Sequence, residues 1–167
     1  MKRWWVTLAA TITNSVVVAV PPDLTSETAR RTALIFVGQI SNFQGYFDSV
    51  VEFCRPRLPE LTIKHATSDW KAQNQEALDY RDSELTRVLM TVRQLGMSQA
   101  GLDEIAGWPD KHYRESLKKA IMVNDIRYDK NPMLACARRL GDLNSDRMSL
   151  QRLSPGAWAY LQELKAK

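Results

Sequence analysis

The most regular hydrophobic pattern in the chain lies between residues 25 and 54. Large apolar side chains recur there in steps of four and three, at Phe36, Ile40, Phe43, Phe47, Val50 and Cys54. This spacing predicts one long amphipathic helix with a single buried face. Thr25 or Ser26 is placed to cap its amino terminus, and Glu27 follows where the helix dipole favours a carboxylate. Pro56 and Pro59 predict that the helix ends just after Cys54.

A second long helix is predicted from Pro59 or Ser68 to Leu95, ending before Gly96. Its second half carries an apolar stripe formed by Leu78, Leu85, Val88, Val92 and Leu95. Its first half, residues 69–76, is polar around one large aromatic side chain. The two halves therefore have different characters: the second resembles a packing face, and the first resembles a surface.

Turn signals divide the remaining sequence into shorter helices. Gly107-Trp108-Pro109 follows one short helix, and Asp110 is predicted to cap the next. Asn131-Pro132 and Ser154-Pro155 each place a capping residue before a proline at the first helical position. Gly141 is predicted to stop the helix that begins after Asn131. Since residues 20–167 show no strand-like alternation of useful length, the sequence predicts an all-α, single-domain bundle of five or six helices.

The first 19 residues have the layout of an export signal. Lys2 and Arg3 precede a mostly apolar stretch, and Val17-Val18-Ala19 offers a small residue at the cut. We therefore predict a signal peptide at 1–19 and a helical domain at 20–167, exported to the periplasm. An uncleaved anchoring helix is the alternative. Cleavage would reduce the net charge from +4 to +2 (4 − 2), a near-balanced surface that favours neither nucleic acid nor stable membrane insertion.

The chain contains two cysteines, Cys54 and Cys136, and both fall on predicted buried faces of helices. In an exported protein this arrangement predicts a disulfide, with Cα atoms about 4.4 to 6.8 Å apart. Two free, buried cysteines are the alternative. The mature chain of 148 residues (167 − 19) can bury a sufficient core by itself, so the bond adds stability to a fold that does not require it.

No recognisable catalytic or metal-binding arrangement emerges from the sequence. His65 and His112 are the only histidines, and neither has metal-ligand spacing to Cys, Asp or Glu. Residues 142–146 begin like a calcium-binding loop. However, Arg147 replaces the glycine and Leu153 replaces the bidentate glutamate of that motif. We therefore assign no catalytic residue, metal ligand or cofactor.

A group of carboxylates on the second long helix is the remaining candidate for acid/base chemistry. Asp79, Asp82 and Glu84 alternate there with Arg81 and Arg87. Two carboxylates could catalyse glycosidic cleavage, which keeps a small cell-envelope enzyme or accessory factor acting on peptidoglycan as the alternative function. The alternation with arginines is more typical of a solvated, salt-bridged helix face.

Trp70 is the strongest candidate for a contact with a partner protein. A tryptophan surrounded by polar residues has the composition of a binding hot spot. Asn74 and Arg81 share roughly one helix face with it, so we predict that all three bind a partner and that Trp70 is partly exposed beside a groove or protrusion. The alternative is that Trp70 covers the end of the helical core.

The layout resembles small exported all-α proteins of Gram-negative bacteria that have one cysteine ending the first long helix and another near the start of a late helix. The matching elements are Phe53-Cys54, Pro59-Glu60-Leu61, Trp70, Ala135-Cys136 and Gly141-Asp142-Leu143. Type VI secretion amidase immunity proteins are similar in size, leader and helical content. The resemblance implies a periplasmic, non-enzymatic binding protein, in its most specific form an immunity or inhibitor protein that occludes a toxin or cell-wall hydrolase. It transfers no inhibitory residue, and the oligomeric state stays open.

Overall fold

The computed structural model describes residues 23–118, 126–145 and 148–166, and within them every regular element is helical. The helices are α1 (Glu27–Cys54), α2 (Glu60–Gln94), α3 (Gln99–Ala106), α4 (Trp108–Lys118), α5 (Pro132–Leu143), α6 (Leu150–Leu153) and α7 (Pro155–Lys165). Six of them contain at least eight residues, which confirms the predicted all-α bundle. The predicted signal peptide and its cleavage site lie outside the described residues, as do residues 146 and 147 of the calcium-like segment.

The apolar face predicted for α1 is confirmed along its whole length. All six side chains of the predicted stripe are buried, which makes α1 the central element of the core. Ser26 caps the helix, because its hydroxyl accepts a hydrogen bond from the Ala29 amide at 3.1 Å. A 3₁₀ turn at Arg55–Arg57 then separates α1 from α2.

The α2 helix extends for 35 residues, about 52 Å at 1.5 Å per residue, and runs back along α1. Its predicted stripe is confirmed at Val88 and Val92, which are buried. The prediction is wrong at Leu95, which is 58% exposed. Leu95 follows the last helical residue, and the chain turns away there through Gly96, whose φ of 83° suits glycine.

None of the described helices is long and apolar enough to cross a membrane.

Three predicted helix boundaries need correction, and one is confirmed. Ser154 precedes α7, but its side chain makes no capping hydrogen bond. α4 begins two residues before Asp110, so this carboxylate lies in the first turn and pairs with Arg114 at 2.9 Å instead of capping the helix. α5 continues through Gly141 to Leu143, so the glycine does not end it. Asn131 does cap α5, since its side-chain oxygen accepts a hydrogen bond from a backbone amide in the first turn.

The predicted disulfide is present. Cys54 at the end of α1 is bonded to Cys136 on α5, with the two Cα atoms 5.5 Å apart. Both side chains are fully buried. The bond closes a long segment of the chain, with a sequence separation of 82 residues, and fixes the start of α5 against the far end of the central helix.

A second face of α1 packs against α4 through small residues and polar contacts. A Cβ atom added to Gly45 would lie 2.6 Å from the backbone oxygen of Tyr113, so only glycine permits this approach. Asn42 accepts a hydrogen bond from Ser116 at 2.7 Å and contacts a ring nitrogen of His112 at 3.4 Å. This is the most extensive contact between two of the described helices.

The expectation of a fully solvated acidic face on α2 is wrong for Glu84, which is only 2% exposed. Its carboxylate pairs with Arg87 and accepts a hydrogen bond from the Tyr160 hydroxyl at 2.8 Å. Burial, together with this carboxylate, raises the pKa of Tyr160. Since Glu84 lies on α2 and Tyr160 lies on α7, the contact joins the last helix to the core. The other two carboxylates of the group, Asp79 and Asp82, are exposed, as predicted.

Candidate binding cleft

A cleft of about 800 Å³ lies between α2, the end of α5 with residues 144 and 145, α6 with the preceding Ser149, and α7. Its apolar lining comes from Phe43, Ala77, Leu143, Leu150, Trp158 and Leu161. Five of these side chains are buried in the core, and Trp158 is half-buried. Ligand-binding clefts of proteins commonly have this size and an apolar floor.

The rim of the cleft is rich in amide and hydroxyl side chains. The side chains of this rim are those of Gln73, Asn74, Asn144, Ser145, Ser149 and Gln151. An amide side chain offers both a donor and an acceptor, so such a rim can pair with the N–H and C=O groups of a peptide backbone. The cleft therefore combines apolar contact with uncharged hydrogen bonding.

Among the described residues, two ionisable side chains line the cleft: Glu76 and Arg152. The Glu76 carboxylate pairs with Lys165 at 2.7 Å. Arg152 is exposed on α6 and takes part in none of the ion pairs between described residues. Among the described lining residues, the negative charge of Glu76 is therefore paired with a lysine, and the positive charge of Arg152 has no ion-pair partner.

Asn144 attaches the segment after α5 to the wall formed by α2. Its side-chain amide donates to the Ala66 carbonyl at 3.0 Å, and its own backbone carbonyl accepts from Gln73 at 3.3 Å. The side-chain oxygen of Asn144 is buried without a partner, and so is the indole N–H of Trp70.

The prediction that Trp70 is partly exposed is wrong: its side chain is 1% exposed. Its ring stacks on Phe47, with centroids 4.4 Å apart and an interplanar angle of 11°, and also contacts Phe43 at 5.4 Å. Phe43 and Phe47 on the apolar face of α1 cover the indole of Trp70. The polar neighbours of Trp70 therefore point outward while the indole fills the core. The alternative interpretation of Trp70 as a core residue is the correct one.

The structure separates the other two predicted contact residues. Asn74 lines the cleft and donates to the Trp70 carbonyl at 2.8 Å, so it is placed where a partner can reach it. Arg81 lies further along α2 and donates to Gln44 of α1 at 2.6 Å and to Asp82 at 2.8 Å. It contributes to the junction between α1 and α2, and it does not line the cleft.

Sequence reasoning misses the residues that close the cleft on the side opposite Asn74. Asn144 and Gln151 lie in residues 142–153, the segment that begins like a calcium loop, and Trp158 has the pattern of ordinary core packing. The available signal is the mixture of amides, serines and spaced leucines in residues 143–153. Polar connecting segments commonly lie on the protein surface and often carry binding residues.

The described residues contain no group of three or more His, Cys, Asp or Glu side chains that could hold a metal ion. Comparison of the chain with known protein families, with curated proteins and with solved structures found no match. The resemblance to immunity proteins therefore stays a prediction, and the cleft itself is the basis for assigning a function.

Proposed function

We propose that this chain is an exported, non-enzymatic binding protein that receives a segment of a partner protein in the cleft between α2 and α7. The periplasm is the proposed compartment. Neutralisation of a secreted toxin or cell-wall hydrolase is the most specific form of the proposal. The observation that carries it is the composition of the cleft, which joins an apolar floor to a rim of amides.

The chemistry of the cleft supports binding over acid/base catalysis. Glycoside hydrolysis uses two carboxylates that flank the bond to be cut. Within the described residues, Glu76 is the single carboxylate that lines this cleft, and it is engaged with Lys165. An apolar floor bordered by polar groups is typical of the centre and rim of a protein–protein contact.

The disulfide supports the proposed compartment. A bond between Cys54 and Cys136 persists in an oxidising environment and is rare in a reducing one. Together with the basic and apolar pattern of residues 2–19, it favours export. Rigidity at this end of the bundle also keeps α5, and hence one wall of the cleft, in a fixed position.

Site-specific photo-crosslinking in cells of the native host tests the proposal. A photoreactive amino acid is placed at Gln73 or at Gln151, which lie on the rim of the cleft. The matched control position is Gln162, which is exposed on α7 and does not line the cleft. We expect a discrete crosslinked product from each rim position and none from the control.

The partner recovered in this way is then purified and titrated with the protein. We expect Asn74→Ala to weaken binding by about tenfold, equivalent to roughly 1.4 kcal/mol, while leaving the unfolding temperature nearly unchanged. Equal crosslinking from all three positions, or turnover of a peptidoglycan substrate by the purified protein, would contradict the proposal.

A further inference from the structure

The balance of charge in the cleft distinguishes between classes of partner. Glu76 would repel an anion, but Lys165 neutralises it at 2.7 Å. Arg152 has no such counterpart among the described residues, although it lines the same cleft as the apolar side chains. The described lining therefore presents the guanidinium group of Arg152 beside an apolar floor.

We propose that the cleft binds the carboxy-terminal residue of a partner polypeptide. Its α-carboxylate pairs with Arg152, and its apolar side chain packs on the floor near Trp158 and Leu161. The inference rests on the proposed function and names the part of the partner that enters the cleft.

The chain terminus fits this arrangement because it carries both features on one Cα atom. The planar guanidinium group can hold a carboxylate through two parallel hydrogen bonds. An apolar carboxy-terminal residue places its side chain next to that carboxylate, as the adjacent Arg152 and apolar floor require. An aspartate or glutamate side chain supplies the charge but no apolar group on the same residue.

The rim accounts for the residues that precede the terminus. Gln73, Asn74 and Gln151 can donate to peptide carbonyls and accept from peptide N–H groups. A nucleic acid would instead require several cations along its phosphates, and Arg152 is the single unbalanced cation on the described lining.

Titration with defined peptides tests the inference. The probes are N-acetylated tripeptides that end in Leu, Phe or Val, each prepared with a free carboxylate and as the carboxamide. A third set consists of carboxamides of the same length with a glutamate beside the apolar residue. Affinities are measured from amide chemical shifts of the ¹⁵N-labelled full chain. We expect the free acids to bind at least about tenfold more tightly than either kind of carboxamide, because the pairing with Arg152 is charge-assisted.

The variant Arg152→Gln should remove this preference without changing the affinity for the carboxamides. Arg138→Gln is the matched control, because Arg138 is exposed on α5 and does not line the cleft. It should keep the full preference. Thermal unfolding of both variants establishes that they fold.

The possible failures have different meanings. Equal affinity for acids and carboxamides would overturn the inference while leaving a peptide-binding cleft. Tight binding of the glutamate carboxamides would overturn it in favour of an acidic side chain. If no tripeptide binds at millimolar concentration, the inference is wrong, and the crosslinking from Gln73 and Gln151 then decides separately whether the proposed function stands.

Discussion

The two buried faces of α1 use different kinds of side chain to pack against their neighbouring helices. The face toward α2 uses large apolar side chains, and its centre is the stack of Phe47 on Trp70 at 4.4 Å. The face toward α4 uses Gly38 and Gly45, which allow the two helices to approach closely, together with the polar side chains of Asn42 and Asp48, which contact α4. The comparison shows that a helix can have a second buried face that contains almost no large hydrophobic residue.

The energetic basis of the two faces differs accordingly. On the α2 face, stability comes from apolar area removed from water and from close aromatic packing. On the α4 face, it comes from short backbone distances and from polar groups that pair across the helices. Trp108 donates to the Leu34 carbonyl at 3.0 Å, and Tyr113 donates to Asp48 at 3.1 Å. The first face should therefore be sensitive to loss of volume and the second to gain of volume.

The largest expected effect is the removal of the aromatic ring at the centre of the α2 face. Trp70→Ala should lower the free energy of unfolding by about 3 to 5 kcal/mol, because it leaves a cavity against Phe43 and Phe47. Trp70→Phe is the matched variant. It keeps a ring and removes an indole N–H that has no partner, so it should cost less. Chemical denaturation measures the free energy of unfolding of both variants. Equal losses of stability in Trp70→Ala and Trp70→Phe would show that aromatic stacking does not account for the contribution of Trp70.

Removal of the disulfide tests how much the bond at Cys54, the last residue of the apolar stripe of α1, contributes to stability. Replacing Cys54 and Cys136 together with serine should lower stability by about 2 to 4 kcal/mol, because the bond closes a loop with a sequence separation of 82 residues. Circular dichroism should show that helical content is retained, since the apolar core is large without the bond. Loss of the helical signal at room temperature would mean that the core depends on the bond.

A small gain of volume tests the α4 face. Gly45→Ala would place a Cβ atom 2.6 Å from the Tyr113 backbone oxygen, so the two helices must separate. We expect a net loss of about 1 to 3 kcal/mol despite the better helix propensity of alanine. In Gly141→Ala the new Cβ would meet no atom within 4 Å, so this control should be stabilising by about 0.5 to 1 kcal/mol. A stabilising Gly45→Ala would contradict the close approach of α4.

The smallest expected effect is the pH dependence of Asp48 on the α4 face. Burial raises the pKa of Asp48, so the folded protein binds this proton more tightly than the unfolded chain does. Ionisation of Asp48 therefore lowers stability as the pH rises above about 3.8 and through the folded-state pKa. Asp48→Asn keeps an acceptor for the Tyr113 hydroxyl and should be more stable than the unmodified chain at neutral pH.

The difference in stability between Asp48→Asn and the unmodified chain should narrow as the pH falls below about 3.8, because Asp48 is then protonated in the folded and in the unfolded chain. Urea unfolding at several pH values measures it. A difference that does not change with pH would show that the Tyr113 hydrogen bond and the attraction of Lys71 cancel the effect of burial, and a destabilising Asp48→Asn at neutral pH would show that they outweigh it.

The α2 face of α1 is predictable from the sequence, because large apolar side chains with a period of about 3.5 residues are typical of a buried helix face. The α4 face is not predictable in the same way. Gly38, Asn42 and Gly45 repeat with the same spacing, but glycine and asparagine are ordinarily interpreted as helix-weakening or exposed. A glycine inside a strong helix often has a packing reason, and that is the available signal.

The candidate site is predictable only in part, for a related reason. Asn74 stands out in the sequence because it shares a helix with a conspicuous tryptophan. The prediction for Trp70 fails because local polarity does not reveal that Phe43 and Phe47 cover it from another helix. The far wall of the cleft, including Asn144 and Arg152, depends on contacts with α2 such as the hydrogen bond from Asn144 to the Ala66 carbonyl, and a local mixture of amides and serines does not specify which helix it contacts.

We propose that the cleft between α2 and α7 binds the partner protein. The most direct test is a map of backbone amide chemical shifts in the ¹⁵N-labelled chain during titration with the crosslinked partner or with a free-acid tripeptide. We expect the perturbed amides to cluster at residues 73–77, 143–145, 149–152 and 158–161, while the surroundings of the Cys54–Cys136 bond stay unchanged. Perturbations centred on α4 or on the disulfide end, with none along the cleft, would contradict it.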